Sequence, residues 1–188
     1  MENSALDMCV CLCTDLFFSP VTKSQITRLH SRFTILDKGK TGNLRREDFM
    51  QIPELSINPL GDRIVQAFFS EALDDMINLR QFIRVLSKFQ RTKENEEDNK
   101  LNSREEKLKF AFRMYDTDND KKISRGELLV VLNMLVGSNT PEEQLASIAD
   151  RTIIEADMDG DRMISFEEFC TSLERTDVEE KMSIRFPH

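Results

Sequence analysis

Two twelve-residue stretches, DTDNDKKISRGE from Asp116 to Glu127 and DMDGDRMISFEE from Asp157 to Glu168, set carboxylates at alternate positions and end on a glutamate. Asp116, Asp118 and Asp120 stand at positions one, three and five of the first, and Asp157, Asp159 and Asp161 at the same positions of the second. A hard cation such as calcium takes about six to eight oxygens, and a tight loop can supply them only if every second residue turns inward. Lys122 and Met163, at position seven, would each add a backbone carbonyl, and Ser124 and Ser165, at position nine, would act through a water. Glu127 and Glu168 would close the shell with two oxygens apiece, a contact that favours calcium over octahedral magnesium. Two Ca2+ ions are therefore the expected cofactors.

A plainer reading exists. Ser124 to Glu127 and Ser165 to Glu168 also spell helix capping boxes, and three spaced aspartates can form a solvated turn. The full pattern recurs 41 residues apart, however, and without a cation its acids would repel one another. Position six, where glycine suits a left-handed turn, is Lys121 in one loop and Arg162 in the other, at a strain on the order of 1 kcal/mol each. That should weaken binding without abolishing it. The first loop sets four acids against Lys121, Lys122 and Arg125, the second five acids against Arg162. The last site is expected to be the tighter.

Loops of this kind need a helix on either side. Four stretches share a layout of apolar helix, polar loop and second helix: Asp37 to Asp48, Ser70 to Gln81, and the two above, with Leu44, Ile77, Ile123 and Ile164 at position eight. Loop starts 33 and 41 residues apart suit two pairs of units whose position-eight residues meet in short antiparallel bridges. The first two loops lack the chemistry. Gly39 offers no side-chain oxygen at position three and Asp48 is shorter than the usual glutamate, while Ser70, Ala72 and Gln81 leave no carboxylate clamp. The expected fold is all-α, four helix-loop-helix units in two paired lobes joined by short β bridges. The divisions are a divergent segment over 1–22, a first lobe over 23–90 without metal, a polar linker over 91–102 and a metal-binding second lobe over 103–188. The linker rests on RTKENEEDNK, which has no apolar residue to bury.

Capping signals support these helices. Asn58-Pro59 and Thr140-Pro141 each place a capping residue before a proline, and Thr140 to Glu143, Ser103 to Glu106 and Asn78 to Gln81 are capping boxes. Leu108, Phe112 and Tyr115 recur at helical spacing, as do Leu145, Ile148, Ala149 and Thr152. In the first lobe, Phe49, Ile52, Ile64, Phe68, Phe82, Ile83, Leu86 and Phe89 belong to an apolar set larger than one small core hides. Most are core, and the rest mark a groove for an amphipathic helix. Met114, Met134, Met158, Met163 and Met182 are candidates for an adaptable surface.

The remaining features narrow the function. A net charge of -8 and a pI near 4.9 disfavour nucleic acid and acidic lipid as partners. Cys9, Cys11 and Cys13 with a solitary Cys170 do not make a disulfide framework, and a reducing setting fits them better. They supply too few ligands for zinc, whereas palmitoylation of the three is a functional reading beside simple apolar docking. The run from Met8 to Phe18 lacks the basic flank of a secretory signal, and no stretch is long enough to span a membrane. His30 and His188 are the only histidines and neither belongs to a nucleophile motif, so an enzyme is not expected.

The chain resembles the calcineurin B branch of the EF-hand proteins, and within it the calcineurin B homologous proteins. The likeness is carried by SQITRLHSRFTILDKG, IPELSINPLGDRI, LNSREEKLKFAFRMYD, SIADRTIIEADMDGD and the ending DVEEKMSIRFPH, and spans roughly residues 23–188. It implies a regulatory subunit that holds an amphipathic cytoplasmic helix of a plasma-membrane sodium/proton exchanger, supporting its activity and pH regulation. An inhibitor or regulator that binds the calcineurin catalytic subunit, and a soluble calcium buffer, are the alternatives. The expected location is cytoplasmic, with peripheral plasma-membrane association through a partner and a nuclear pool left open. Family members begin with a myristoylated glycine, whereas this chain reads Met1-Glu2, so myristoyl targeting is not expected.

Overall fold

The computed structural model describes residues 23–70, 72, 75–89, 102–136, 140–174 and 182. The expected linker falls almost wholly outside them, as do Cys9, Cys11, Cys13 and His188. Among the described residues the chain is helical apart from four two-residue strands. In the first lobe α1 (Lys23–Leu36) leads through the first loop, with β1 (Asn43–Leu44), into the short α2 (Arg46–Phe49) and α3 (Pro53–Ile57). Next, α4 (Gly61–Phe69) leads through β2 (Ile77–Asn78) into α5 (Leu79–Ser87). The second lobe repeats the plan with α6 (Arg104–Tyr115), β3 (Lys122–Ile123), α7 (Arg125–Val136), α8 (Glu142–Ala156), β4 (Ile164–Ser165) and α9 (Phe166–Ser172).

The position-eight residues meet as their spacing predicts. Leu44 pairs with Ile77 and Ile123 with Ile164, each across an antiparallel bridge. All four are nearly inaccessible, so the bridge ties two loops together and also seeds the core beneath them.

Two cores result. In the first, Phe49 packs against Phe68 with tilted rings whose centroids are 4.8 Å apart, and Phe33 meets Phe82 edge-on at 5.6 Å. The second gathers Phe112, Ile123, Ala149, Ile153 and Ile164. Helix α6 serves both. Phe110 meets Phe89 of the first lobe at 4.8 Å, while Phe112 meets Phe166 and Phe169 of the second. Two residues along a helix turn the side chain by about 200°, so one short helix presents opposite faces to the two cores.

Polar contacts also cross between the lobes. Lys88, buried at the end of α5, pairs with Glu106 of α6 at 3.1 Å. Burial alone would raise Glu106, but the ammonium groups of Lys88 and Lys109 hold it below the usual range. Arg63 of α4 donates to the Thr117 hydroxyl at 2.8 Å, and Arg113 of α6 donates to the Ser70 hydroxyl at 3.1 Å.

Several local expectations need correction. Helix α4 begins at Gly61, and Asn58 instead accepts from the Leu60 amide at 2.9 Å in the turn that precedes it. Helix α8 begins at Glu142 with Pro141 at its cap, so Thr140 caps nothing through its side chain. Ser103 accepts from the Glu106 amide, but Glu106 answers Lys88 and Lys109 rather than closing a box. On α8 the buried stripe is Leu145, Ala149, Ile153 and Ala156, while Ile148 and Thr152 face solvent. The stripe steps by about one helical turn, and Ile148 and Thr152 lie off it.

Gly61 shows why the stretch SINPLGDR can fold as it does. A Cβ at this position would sit 2.1 Å from the Leu55 carbonyl oxygen of α3, a backbone atom that cannot step aside cheaply. Gly126 is the contrast, since its nearest neighbour would be the Ser124 hydroxyl at 3.9 Å. Gly61→Ala is expected to cost about 1–3 kcal/mol by overpacking. Gly126→Ala should be neutral or stabilise α7 by up to about 1 kcal/mol. Chemical denaturation of the two variants beside wild type measures both.

Candidate metal centre and apolar cleft

In the loop 116–127, α6 ends with its Asp116 amide on the Phe112 carbonyl, and the chain turns through Asn119 and Lys121, both at positive φ (60° and 70°). The loop 157–168 does the same through Gly160 and Arg162 (81° and 66°). The strain foreseen at position six is thus present. It is held in place because Oδ2 of Asp116 accepts the Lys121 amide at 3.1 Å and Oδ2 of Asp157 accepts the Arg162 amide at 2.8 Å.

This turn brings the acids together. Asp116, Asp118 and Asp120 each offer a carboxylate oxygen within 4.8 Å of the others, and so do Asp157, Asp159 and Asp161. Lys122 and Met163, the expected carbonyl donors, sit where each loop enters its strand. The terminal glutamates fold back over the loops. Oε1 of Glu127 accepts the Thr117 amide at 2.6 Å and Oε2 accepts the Ser124 amide at 2.8 Å; Glu168 accepts from Met158 and Ser165 at 2.7 Å each. With the Glu127 and Glu168 amides donating to Ser124 and Ser165, the capping boxes form as well. The capping role and the expected ligand role therefore fall on the same glutamates.

Electrostatics separates the two loops. Glu168 is held at about 2 by amides from Met158 and Ser165 and by the Ser165 hydroxyl. Its depressed value means that it stabilises the fold above the ordinary glutamate range and that this contribution is lost as pH falls towards 2. Burial pushes Glu127 upward, yet the amides of Ser124 and Thr117 outweigh it and leave it lowered. Asp116 goes the other way, raised by burial and by repulsion from Glu127 and Asp120. Its Oδ1 is buried without a hydrogen-bond partner. An orphaned carboxylate oxygen inside a cluster of acids is the demand that a bound cation satisfies. The donor set is all oxygen and therefore fits calcium.

In loops one and two the described polar side chains serve the backbone of the turn. Asp37 accepts the Thr41 and Gly42 amides at 2.9 and 2.7 Å, and Asp48 accepts the Arg45 amide at 2.8 Å. In the second, Asn78 and Gln81 close a reciprocal capping box at 3.0 Å in both directions.

The first lobe opens a cleft of ≈ 430 Å³. Phe49, Ile52, Ile64, Phe68, Phe82, Leu86 and Phe89 line it as expected. Ile83 does not, because it is buried in the core at 5% exposure. Arg32 and Leu36 of α1, with Phe110 and Met114 of α6 and Met182, add to the wall. Arg32 and Leu36 carry a legible i, i+4 signal, but the others arrive from the second lobe and no local spacing marks them. Met134, Met158 and Met163 do not line the cleft.

Comparison with known proteins adds lineage to this geometry. An EF-hand domain pair model matches residues 105–174, the half that carries both acidic loops. Calcineurin B of Naegleria gruberi is 44% identical over 164 residues, 87% of this chain and 87% of that protein. The chain belongs to the calcineurin B family of EF-hand proteins. Calcineurin B of Candida glabrata is 42% identical over 164 residues, 87% of this chain and 88% of its own length. Family membership and the two acid clusters agree on calcium binding in the second lobe, and the cleft of this calcineurin B relative lies in the first.

Asp116→Asn separates the folding cost of the acid cluster from its use. In chelator the variant should melt on the order of a few degrees higher than wild type at neutral pH, because a buried unpaired charge is removed. The difference should vanish below the ordinary aspartate range of about pH 4, where Asp116 is protonated in both folded and unfolded wild type. In calcium the order should reverse. Thermal unfolding followed by circular dichroism checks all three conditions.

Proposed function

We propose that this calcineurin B relative is a calcium-loaded regulatory subunit that acts by holding a partner's amphipathic helix rather than by catalysis. The first-lobe cleft carries this reading. Ile52, Leu55, Ile64 and Leu86 remain partly exposed around it although the core below is filled, which is the arrangement of a groove awaiting an apolar helix face. Two Ca2+ ions are proposed, one held by Asp116, Asp118, Asp120, Glu127 and the Lys122 carbonyl, the other by Asp157, Asp159, Asp161, Glu168 and the Met163 carbonyl. Because the first lobe closes its own loops, calcium fastens the second lobe and fixes the cleft wall formed by Phe110 and Met114.

The partner we favour is an amphipathic cytoplasmic helix of a plasma-membrane sodium/proton exchanger. The stretches INPLGDR and KMSIR, by which the chain resembles the calcineurin B homologous proteins, support it. The protein would then be cytoplasmic and reach the membrane through that partner, with palmitoylation of Cys9, Cys11 and Cys13 as an added anchor. The second reading, binding to a calcineurin catalytic subunit, is supported by the calcineurin B relatives at 42–44% identity.

Calorimetry tests the metal. Wild type should take up two calcium ions, and Glu127→Gln and Glu168→Gln should each take up one. Uptake of one ion by wild type would overturn the two-site assignment. Fluorescence titration with the two candidate helices, from an exchanger juxtamembrane segment and from a calcineurin catalytic subunit, tests the partner. The exchanger helix should bind the more tightly, and Ile64→Asp should weaken it at least about tenfold, the cost of a charge in an apolar site, with the calcium stoichiometry unchanged. Equal binding of Ile64→Asp and wild type would remove the cleft from the interface.

A further inference from the structure

The two acidic loops are joined by a side chain as well as by their strand bridge. Lys122 occupies position seven of its own loop and lies in β3 opposite Ser165. Its neighbour Ile123 is buried in the bridge, and successive strand residues face opposite ways, so Lys122 is turned back towards the loops. The ammonium group crosses to the other loop and pairs with Oδ2 of Asp161, the position-five acid. The remaining oxygen of that carboxylate, Oδ1, accepts the Met163 amide at 2.8 Å. Asp159 and Glu168 add their attraction to the same ammonium. The arrangement is not reciprocal, since the matching position in the second loop is Met163, which carries no charge.

This contact changes the charge balance between the loops. Arg125 is paired outward with Asp150 of α8. Once Lys122 is counted with the loop it touches, the first loop sets four acids against Lys121 alone and the second sets five against Arg162 and Lys122. Both come to a net charge of minus three, and the surplus that would favour the last loop is cancelled.

We propose that the Lys122 side chain is a built-in competitor for the cation at the loop 157–168, holding one oxygen of the Asp161 carboxylate and giving it up when the loop fills. The inference rests on that loop binding calcium. The backbone carbonyl of Lys122 serves one loop and its ammonium restrains the other, so this residue sets the relative affinity of the two sites. The same pairing neutralises Asp161, which gives Lys122 a second, opposite effect on stability. A partly exposed ion pair of this kind supports a modest competition, weakened by salt.

The test uses full-length protein carrying Glu127→Gln, so that calcium heat reports on the loop 157–168 alone. In this background Lys122→Met keeps the carbonyl and the aliphatic stem but removes the charge. At low salt it should raise calcium affinity about two- to fivefold. In chelator it should lower the melting temperature. Lys122→Arg should follow the parent in both measurements, and the affinity gain should shrink at high salt. Unchanged or weaker calcium binding by Lys122→Met overturns the proposal, whatever its melting temperature. If the Glu127→Gln parent itself shows no calcium heat while Glu168→Gln does, the loop 157–168 is no calcium site and the underlying assignment falls with it.

Discussion

Reversing a helix within twelve residues exposes backbone amides that neither helix can satisfy, and the arrangement of this molecule depends on how they are answered. In three of the four loops the same device is used. The position-one aspartate accepts the amide of position six: Asp37 from Gly42, Asp116 from Lys121, and Asp157 from Arg162. That hydrogen bond fixes a left-handed residue in the middle of the turn, glycine in the first case and a long basic residue in the other two. The bridges between loops and the cores beneath them follow from the turn. The turn is closed by a carboxylate and an amide of the chain itself, whereas the further acids crowded inside present the charge that a cation would answer.

That distinction explains how one repeat yields two kinds of lobe. In the first lobe the loop acids Asp37 and Asp48 accept backbone amides, and among the described residues they join no cluster of three acids. In the second, Asp116 keeps an oxygen buried and unanswered, and three aspartates share each small volume. Loops without clustered acids and loops with them thus sit on either side of α6, whose Phe110 and Phe112 belong to different cores.

Most of the local chemistry could be read from the sequence because each loop is a self-contained rule. The alternate acids, the terminal glutamates, the capping boxes at Asn78, Ser124 and Ser165, and the meeting of Leu44 with Ile77 and Ile123 with Ile164 all depend on spacing within or between short segments. What could not be read depends on distance. Phe110, Met114 and Met182 reach the first-lobe cleft from the other half of the chain, and Lys122 neutralises an acid 39 residues away. Hydrophobicity alone assigns Ile83 to the groove, whereas the turn of α5 carries it into the core. Pro59 and Pro141 suggest helix starts earlier than those found, since a proline fits the turn before a helix as readily as its first residue.

The two arginines that cross between the lobes have a mechanical meaning. Arg63 leaves the first lobe for a loop of the second, and Arg113 leaves the second for a loop of the first. A pair of struts running in opposite directions resists twisting about the line that joins the halves, which a single strut would permit. These contacts, with Phe89 and Phe110 packed between the same halves, oppose rotation of one half against the other.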